Sequence, residues 1–345
     1  DAGWVDVREA LEVVHEKDLS PARQWLSAAC KPAEAPDLTG RWSALNPILV
    51  TQGFVARTKE GKTALLGRGG SDTSAALLAG RLSARWLEIW TDVPGLFSAD
   101  PRLISEARLL TEVDYAEALE MAASGARVVH PRCIRAAAAT GTPVVIRDLN
   151  RRNIAGTRIG QKRSESSGIK TVTCQEHMAV LLLQNLDARF QVGFLAEVFA
   201  IFQRRGISID LVATSETTTT VAINCEANHL GEEELKDLAD DLGSRCKVAL
   251  YSNCVCVNLV GRGARTALSR LQDVMRYFED HPLLMVSQSA NDLCLSLLVH
   301  SGDHVTLIEG AHNALIPLAG ESNDGVFGAS WAQIQQFAGS GAIDE

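Results

Sequence analysis

A glycine-rich loop is the first segment of the chain whose residue types could do chemistry. Residues 65–79 read LLGRGGSDTSAALLA, which is typical of a strand that ends in a Gly-rich turn and continues into a helix. Such a turn presents backbone N–H groups to an anion, and Arg68 adds a fixed charge suited to a carboxylate or a phosphate. Ser71 and Asp72 belong to the same loop. The alternative is a plain strand-to-helix turn that Ser71 or Asp72 caps.

A second polar loop follows the next apolar segment of the chain. Residues 90–102 read WTDVPGLFSADPR and lack any apolar period. Loops at the carboxyl ends of parallel strands are where ligands of open α/β sheets bind. Thr91 and Asp92 could hold a ribose, Phe97 could line a base, and Arg102 could contact phosphates. A surface loop rich in turn-forming residues is the alternative interpretation.

These loops need strands and helices to position them, and the surrounding pattern predicts both. From Pro47 to Ile146, short apolar segments alternate with helical ones, which predicts an α/β unit with a mostly parallel sheet. Residues 147–168 turn polar, basic and Gly/Ser-rich, as in a linker. A new order of strand, helix, strand, turn, strand and helix then occurs twice, over residues 177–243 and 254–315. Each copy predicts a small ferredoxin-like βαββαβ module.

Composition restricts the classes of protein that the chain can belong to. Hydrophobic residues make up 46% and charged residues 22%, which is typical of a soluble globular protein. The net charge of -9 disfavours binding to nucleic acid through its phosphates. No apolar segment approaches the ~20 residues that a membrane helix requires. We therefore expect a cytoplasmic protein that binds small molecules, with neither a nucleic acid nor a membrane as partner.

The 8 Cys are scattered, and most lie inside apolar segments. This distribution predicts buried thiols and no disulfide framework. Cys254 and Cys256 lie in the alternating segment VCVNLV, where a strand would direct both side chains to one face. Because no second pair has the spacing of metal ligands, we expect no metal site of the zinc type.

Taken together, three motifs resemble the aspartate kinase members of the amino-acid kinase family. They are GRGGSDTSAALLA, WTDVPGLFSADPR and GARVVHPRCI. The resemblance runs from about Trp4 to Ile159 and continues through GFLAEVFAIFQRRGISIDLVATSE into paired ACT domains. It implies part of an amino-acid kinase (carbamate kinase-like) sheet domain over residues 1–160, a first ACT domain with its linker over 161–252, a second ACT domain over 253–318, and a flexible tail or tether over 319–345.

The resemblance also implies a reaction. ATP, with Mg²⁺, would phosphorylate the side-chain carboxylate of L-aspartate to give 4-phospho-L-aspartate, the first step toward lysine, threonine and methionine. By position, Arg68 resembles the ligand of the aspartate carboxylate, with Ser71 and Asp72 beside it in a catalytic role. The family's nucleotide-binding positions fall on Thr91, Asp92, Phe97, Arg102 and Arg127. Relatives often carry Lys in place of Arg127, so the contact geometry with phosphate would differ there.

An amino-acid effector site is implied as well. Gly193, Phe194 and Leu195 open a helix, so their N–H groups could bind an α-carboxylate. Asp210 could pair with the ammonium group, although a turn or cap residue is the alternative. Hydroxyl groups for this site would come from Ser208, Thr214 and Ser215.

The identity of the effector stays open between lysine and threonine. Phe190 and Gln191 stand where a lysine-specific member would carry His and Ser. Because ferredoxin-like modules have exposed sheet edges, we expect the ACT domains to pair two chains into a homodimer.

One motif of the family has no match. Its Lys-x-Gly-Gly loop, on the first strand, does not occur before Leu66, and KEGK at Lys59 differs from it. We therefore expect residues 1–345 to be a fragment with no appreciable kinase activity alone. A non-catalytic, amino-acid-sensing regulatory subunit is the alternative function. The segment IPLAGESNDGVFGASWAQI also resembles the tether of fusions between an aspartate kinase and a diaminopimelate decarboxylase.

Overall fold

The computed structural model describes residues 2–14, 28–32, 38–126, 128–161, 168–184, 192–300, 303–317 and 325–339. Two compact units make up the chain. Unit 1 consists of Asp1–Phe97, Ser105–Ser166 and Ala319–Glu345, and unit 2 consists of Ser98–Ile104 and Ser167–Leu318. Within the described ranges, every helix is too short or too polar to span a membrane.

Unit 1 begins with the alternating strands and helices that the sequence predicts. Its strands up to the linker are β1 (Gly3–Trp4), β2 (Leu11–Val14), β3 (Ala29–Pro32), β4 (Leu49–Val50), β5 (Val55–Arg57), β6 (Thr63–Leu65), β7 (Leu87–Thr91), β8 (Arg108–Leu110), β9 (Glu112–Asp114), β10 (Val144–Asp148) and β11 (Thr157–Gly160). Its helices are α1 (Leu38–Ser43), α2 (Gly70–Arg81), α3 (Tyr115–Ala123) and α4 (Pro131–Thr140).

The sheets of unit 1 are mixed, whereas the sequence pattern predicted a mostly parallel sheet. One sheet has the strand order β3-β2-β5-β6 and another the order β7-β10-β11-β9. β7 and β10 are parallel, with Thr91 opposite Asp148, but β11 is antiparallel to β10. The reason is the short connection from β10 to β11, since a parallel pairing needs a crossover of a dozen or more residues.

Local sequence explains where the helices of unit 1 begin and end. The Asp114 side chain accepts hydrogen bonds from the first turn of α3, and Glu117 completes a capping box. Pro131 occupies the first turn of α4, and Gly141 ends that helix in the left-handed conformation. α2 packs beside α4, so the two helices of the Gly-rich region support each other.

Unit 2 contains the two predicted repeats. Its strands are β12 (Thr171–Gln184), β13 (Leu211–Thr214), β14 (Thr218–Asn224), β15 (Lys247–Val260), β16 (Leu283–Gln288) and β17 (Cys294–His300). Its helices are α5 (Phe194–Arg205), α6 (Cys225–Asn228), α7 (Glu232–Gly243), α8 (Leu271–Met275) and α9 (His304–Leu315), with 3₁₀ turns on either side of α8.

The two modules of unit 2 share one six-stranded sheet with the order β13-β14-β12-β15-β17-β16. β12 and β15 are each 14 residues long and run through both modules. Among the described residues, the first half of β12, Thr171–Gln175, pairs only with the second half of β15 and forms the fourth strand of the second module. The expected domain boundary between residues 252 and 253 therefore lies inside one continuous strand. Bulges with left-handed His177 and Asn253 mark the change of module.

The apolar core of unit 2 lies on both faces of this sheet. Helices α5 and α7 cover one face through residues such as Val198 and Leu238. Cys254 and Cys256 lie together in a second buried cluster with Met285 and Leu298, which confirms that both thiols point to one face of the strand. No disulfide joins any of the 8 Cys, all of which lie in described ranges.

The segment after unit 2 differs from its prediction. We expected residues 319–345 to be a flexible tail, but β18 (Phe327–Ser330) and α10 (Trp331–Gly339) belong to unit 1. β18 pairs antiparallel with β8, and Val326 and Ile334 are buried. The Gly, Ser and Ala content of the segment hid these few apolar anchors, because their partners lie about 200 residues away in sequence.

Candidate active site and effector site

Two helix N-termini meet at the Gly-rich loop of unit 1. Gly69 precedes α2 with a φ of 68°, and a Cβ atom at this position would lie 2.2 Å from the Cβ atom of His130. His130 in turn caps α4, where its Nδ1 atom accepts a hydrogen bond from the Arg132 backbone N–H at 3.2 Å. Only glycine permits so close a contact with His130 at position 69. The contact brings the N-termini of α2 and α4, the positive ends of two helix dipoles, together.

The charged residues of this loop are neighbours. The Asp72 carboxylate accepts a hydrogen bond from the His130 backbone N–H, and burial raises the pKa of Asp72. Burial lowers the pKa of His130, and the nearby Arg132 and Arg68 act in the same direction. Arg68 is exposed, and no carboxylate among the described residues forms an ion pair with it. The loop therefore presents a net positive charge to solvent, with Ser71 exposed beside it.

A polar edge forms where β7 and β10 end. Thr91 is the last residue of β7, and its hydroxyl donates a hydrogen bond to the exposed Asp92 at 3.0 Å. Opposite Thr91, the Asp148 carboxylate is fully buried and accepts hydrogen bonds from the Asn150 N–H at 2.7 Å and from Arg151 at 2.8 Å. This edge has the position that ligand sites take in α/β folds.

The other predicted nucleotide-binding residues have different surroundings. Phe97 is only 6% exposed, and its ring meets the Trp331 ring edge-on at 5.7 Å. Arg102 lies in the segment of unit 2 that spans 98–104, where its guanidinium forms a two-point pair with Asp100 at 2.6 and 3.0 Å. Arg127 lies outside the described residues.

A cavity of about 520 Å³ in unit 2 contains most of the predicted effector residues. It lies between the start of α5 and the turn that joins β13 to β14. Gly193 precedes α5 with a φ of 95°, so the free N–H groups of the first helical turn face the cavity. The lining residues are Gly193, Phe194, Leu195, Ala196, Thr214, Ser215, Glu216, Thr217, Thr218 and Thr219.

Asp210 and Ser208 lie at the opposite end of β13 and are not among the lining residues. The Asp210 carboxylate accepts a hydrogen bond from the Asn224 N–H at 2.7 Å, and burial raises its pKa. The Ser208 backbone forms two hydrogen bonds with the Asn228 side chain. This geometry matches the alternative role of Asp210 as a turn residue. Phe190 and Gln191 lie outside the described residues.

Comparison with known proteins identifies the family. A family model described as "Amino acid kinase family" matches residues 13–148. Over 316 residues the chain is 32% identical to lysine-sensitive aspartokinase 3 of Escherichia coli. This match covers 91% of this chain and 69% of the E. coli protein. The chain belongs to the aspartokinase family. It is also 29% identical to a chloroplastic aspartokinase 3 of Arabidopsis thaliana, over 83% of this chain but only 52% of the plant protein.

Solved structures of an aspartokinase have the same fold. The structure of E. coli aspartokinase III in complex with aspartate and ADP matches with a TM-score of 0.77 at 31% identity, over 92% of this chain and 70% of that one. Its complex with lysine and aspartate matches with a TM-score of 0.73 at 29% identity, over the same shares. The predicted family and α/β fold class are confirmed.

Sequence reasoning missed several residues of the two candidate sites. Glu216 and Thr217–Thr219 line the cavity of unit 2, but the sequence SETTTT was interpreted only as a polar turn. A signal was present, because an acid and five hydroxyl residues crowd one hairpin turn opposite a helix N-terminus. Asp148 and Arg151 were assigned to the end of a strand and to a linker, and no local pattern places them beside Thr91.

Proposed function

We propose that the protein catalyses transfer of the γ-phosphoryl group of ATP to the side-chain carboxylate of L-aspartate, giving 4-phospho-L-aspartate. The observation that carries this proposal is the convergence of the α2 and α4 N-termini around exposed Arg68. Anionic groups gain from the helix dipoles, from unbonded N–H groups and from the guanidinium at one place. E. coli aspartokinase III, which binds aspartate and ADP in its solved structure, supports this choice of substrates.

The residues described contribute positioning and charge neutralisation, which is what phosphoryl transfer chiefly requires. Arg68 would orient a carboxylate through a charge-assisted hydrogen bond. Thr91 and Asp92, at the end of β7, would meet the polar groups of the nucleotide.

Mg²⁺ would neutralise charge on the phosphates of ATP. Among the described residues, no group of three or more His, Cys, Asp or Glu could hold the ion unaided. The nucleotide phosphates would therefore supply much of its coordination, as is common for Mg²⁺.

Replacing Arg68 tests the substrate site. In the intact protein, Arg68→Ala should raise the KM for aspartate roughly 10- to 100-fold, because a hydrogen bond to a charged group contributes ~1.5–3 kcal/mol. A hydroxamate assay at varied aspartate concentration measures this. Arg85→Ala is the matched control, since Arg85 stacks over Trp86 beyond the far end of the 12-residue α2. An unchanged KM for aspartate would exclude Arg68 from the aspartate site. An intact protein without aspartate-dependent turnover would contradict the proposed function.

A second function, feedback sensing of an amino acid, is favoured by the cavity of unit 2. Helix N–H groups at Gly193–Leu195 suit an α-carboxylate, and Glu216 offers a carboxylate for an ammonium group. We propose lysine as the effector, because it carries a second ammonium group and because E. coli aspartokinase III binds it. A homodimer through the edge strands of the six-stranded sheet and a cytoplasmic location stay predictions.

Calorimetry with the intact protein tests the effector site. Lysine should bind more tightly than threonine, and Glu216→Gln should weaken lysine binding on the order of 10-fold, since it removes a charged partner. Asp210→Asn separates the two roles of that residue, because Asn keeps an acceptor for the Asn224 N–H. Lost lysine binding would support an ammonium partner, whereas unchanged binding without loss of stability would support the turn residue. The absence of any lysine binding would refute the site.

A further inference from the structure

The C-terminal strand and helix are bound to unit 1 by many specific contacts. The buried Arg108 side chain donates hydrogen bonds to the carbonyl oxygens of Phe327 and Gly328 at 2.9 and 3.2 Å, and its guanidinium stacks over the Phe327 ring. The Thr111 hydroxyl donates to the Gly325 carbonyl at 2.5 Å. These contacts use backbone and side chains alike, so the segment has one defined position on β8.

Trp331 begins α10 and connects this segment to the polar edge of unit 1. Its backbone N–H donates to the Ala107 carbonyl at 2.8 Å, which fixes the start of the helix. Its ring meets Phe97 edge-on at 5.7 Å, and the Arg151 guanidinium lies 4.9 Å from the ring centre. Both are favourable aromatic geometries.

Phe97 and Arg151, the two residues that contact the Trp331 ring, are both connected to the predicted nucleotide-binding residue Thr91. Phe97 is part of the loop that starts at Thr91, so the ring packing contributes to holding the end of that loop. Arg151 pairs with the fully buried Asp148 at 2.8 Å, and Asp148 lies opposite Thr91 where β7 and β10 end. Trp331 thus contacts both Phe97, in the loop after β7, and Arg151, which pairs with Asp148 at the polar edge.

We propose that residues 325–339 are a working part of the nucleotide site and that Trp331 is its positioning residue. With the Trp331 ring in place, Phe97 is held in the interior and the backbone of residues 91–97 is presented in one conformation. Arg151 is held against Asp148 at the same time. The inference rests on the proposed kinase function, because it takes the loop after β7 as the nucleotide-binding loop.

Titration of ADP into the intact protein tests this proposal. Trp331→Ala should raise the Kd for ADP on the order of 10-fold, because loss of both ring contacts lets the loop shift from its binding geometry. Trp331→Phe should restore most of the affinity, since it keeps an aromatic ring for Phe97 and Arg151. In kinetic assays, the KM for ATP should rise with Trp331→Ala while the KM for aspartate stays within about 2-fold.

Ile334→Ala is the matched control on the same helix. Ile334 is buried, so its truncation should lower the Tm of the protein while leaving the Kd for ADP unchanged. Equal rises in Kd for Trp331→Ala and Ile334→Ala would mean that the segment is only structural and would overturn the proposal. If Trp331→Ala does not fold, a Trp331→Leu protein that folds without the ring contacts and binds ADP as tightly as the wild type would also overturn it.

The proposed function and this inference fail in different ways. A wild-type protein that does not bind ADP would contradict the kinase function itself. A wild-type protein that binds ADP, with Trp331→Ala binding as tightly, would contradict only the role of Trp331.

Discussion

Burial disfavours the charged forms of the two titratable side chains beside the Gly-rich loop, Asp72 and His130. It raises the pKa of Asp72 and lowers the pKa of His130, so in both residues it disfavours the charged form. The lowered pKa leaves the His130 ring neutral at neutral pH. Arg68 and Arg132 are then the positive side chains for an incoming anion, and the sequence motif alone could not distinguish this from a site shared with His130.

Asp72 provides a prediction about stability and pH. A carboxyl whose folded-state pKa lies above its ordinary value of 3.8 stabilises the fold when protonated, and this stability is lost as the pH rises through the folded pKa. Asp72→Asn should therefore raise the urea midpoint of unfolding at pH 7 and give little change near pH 3.8. The Asn side chain keeps an acceptor for the His130 N–H.

The measurement for Asp72 is urea unfolding at several pH values. Asp92→Asn is the control, because Asp92 is exposed and its replacement should leave the midpoint unchanged. If Asp72→Asn were destabilising at pH 7 and neutral in acid, the ionised carboxylate would be a stabilising group, and our account of the loop would be wrong.

At the scale of elements, the approach of α2 to α4 depends on one glycine. Gly69→Ala should lower the free energy of unfolding by about 1–2 kcal/mol, because Ala disfavours the left-handed conformation. Overlap of the new Cβ atom with His130 should lower it by roughly 1–3 kcal/mol more. Gly141→Ala is a close control, since Gly141 has a φ of 67° but a Cβ atom there would meet no neighbour nearer than 3.9 Å. Gly141→Ala should therefore lower the free energy of unfolding only by the conformational cost of about 1–2 kcal/mol. Urea unfolding compares the two, and equal losses would contradict a tight contact between Gly69 and His130.

At the scale of the whole molecule, each unit gains its stability from long-range pairing. In unit 2 the two modules share β12 and β15, so neither can lose its sheet without exposing the other. Leu297→Ala, at a fully buried position of β17, should cost about 2–5 kcal/mol. Amide hydrogen exchange should then show reduced protection in β14 of the first module as well as in β17 of the second.

A control separates this cooperativity from a general loss of packing. Val286 is 44% exposed on β16, and Val286→Ala should change protection little in either module. Unchanged protection of β14 in the Leu297→Ala protein would mean that the two modules unfold independently, in spite of their shared strands.

The sequence by itself determined the local elements and the family of this protein. The helix after Gly69, the polar loop after Thr91, the two βαββαβ repeats and the helix start at Gly193 all follow from hydrophobic period, glycine conformation and capping, which act over a few residues. Five of the predicted effector residues line one cavity for the same reason, since they occupy a helix start and a hairpin turn that are readable locally.

Only the tertiary structure decided which distant segments meet. It assigned Thr171–Gln175 to the second module, placed Asp210 beside Asn224 and Glu216 in the cavity, and brought Trp331 onto Phe97 and Arg151. Strand pairing and ring packing can join residues at any sequence separation, and their energy depends on shape and burial that no local pattern records. For that reason a segment rich in Gly, Ser and Ala could read as a tether and yet fold as part of unit 1.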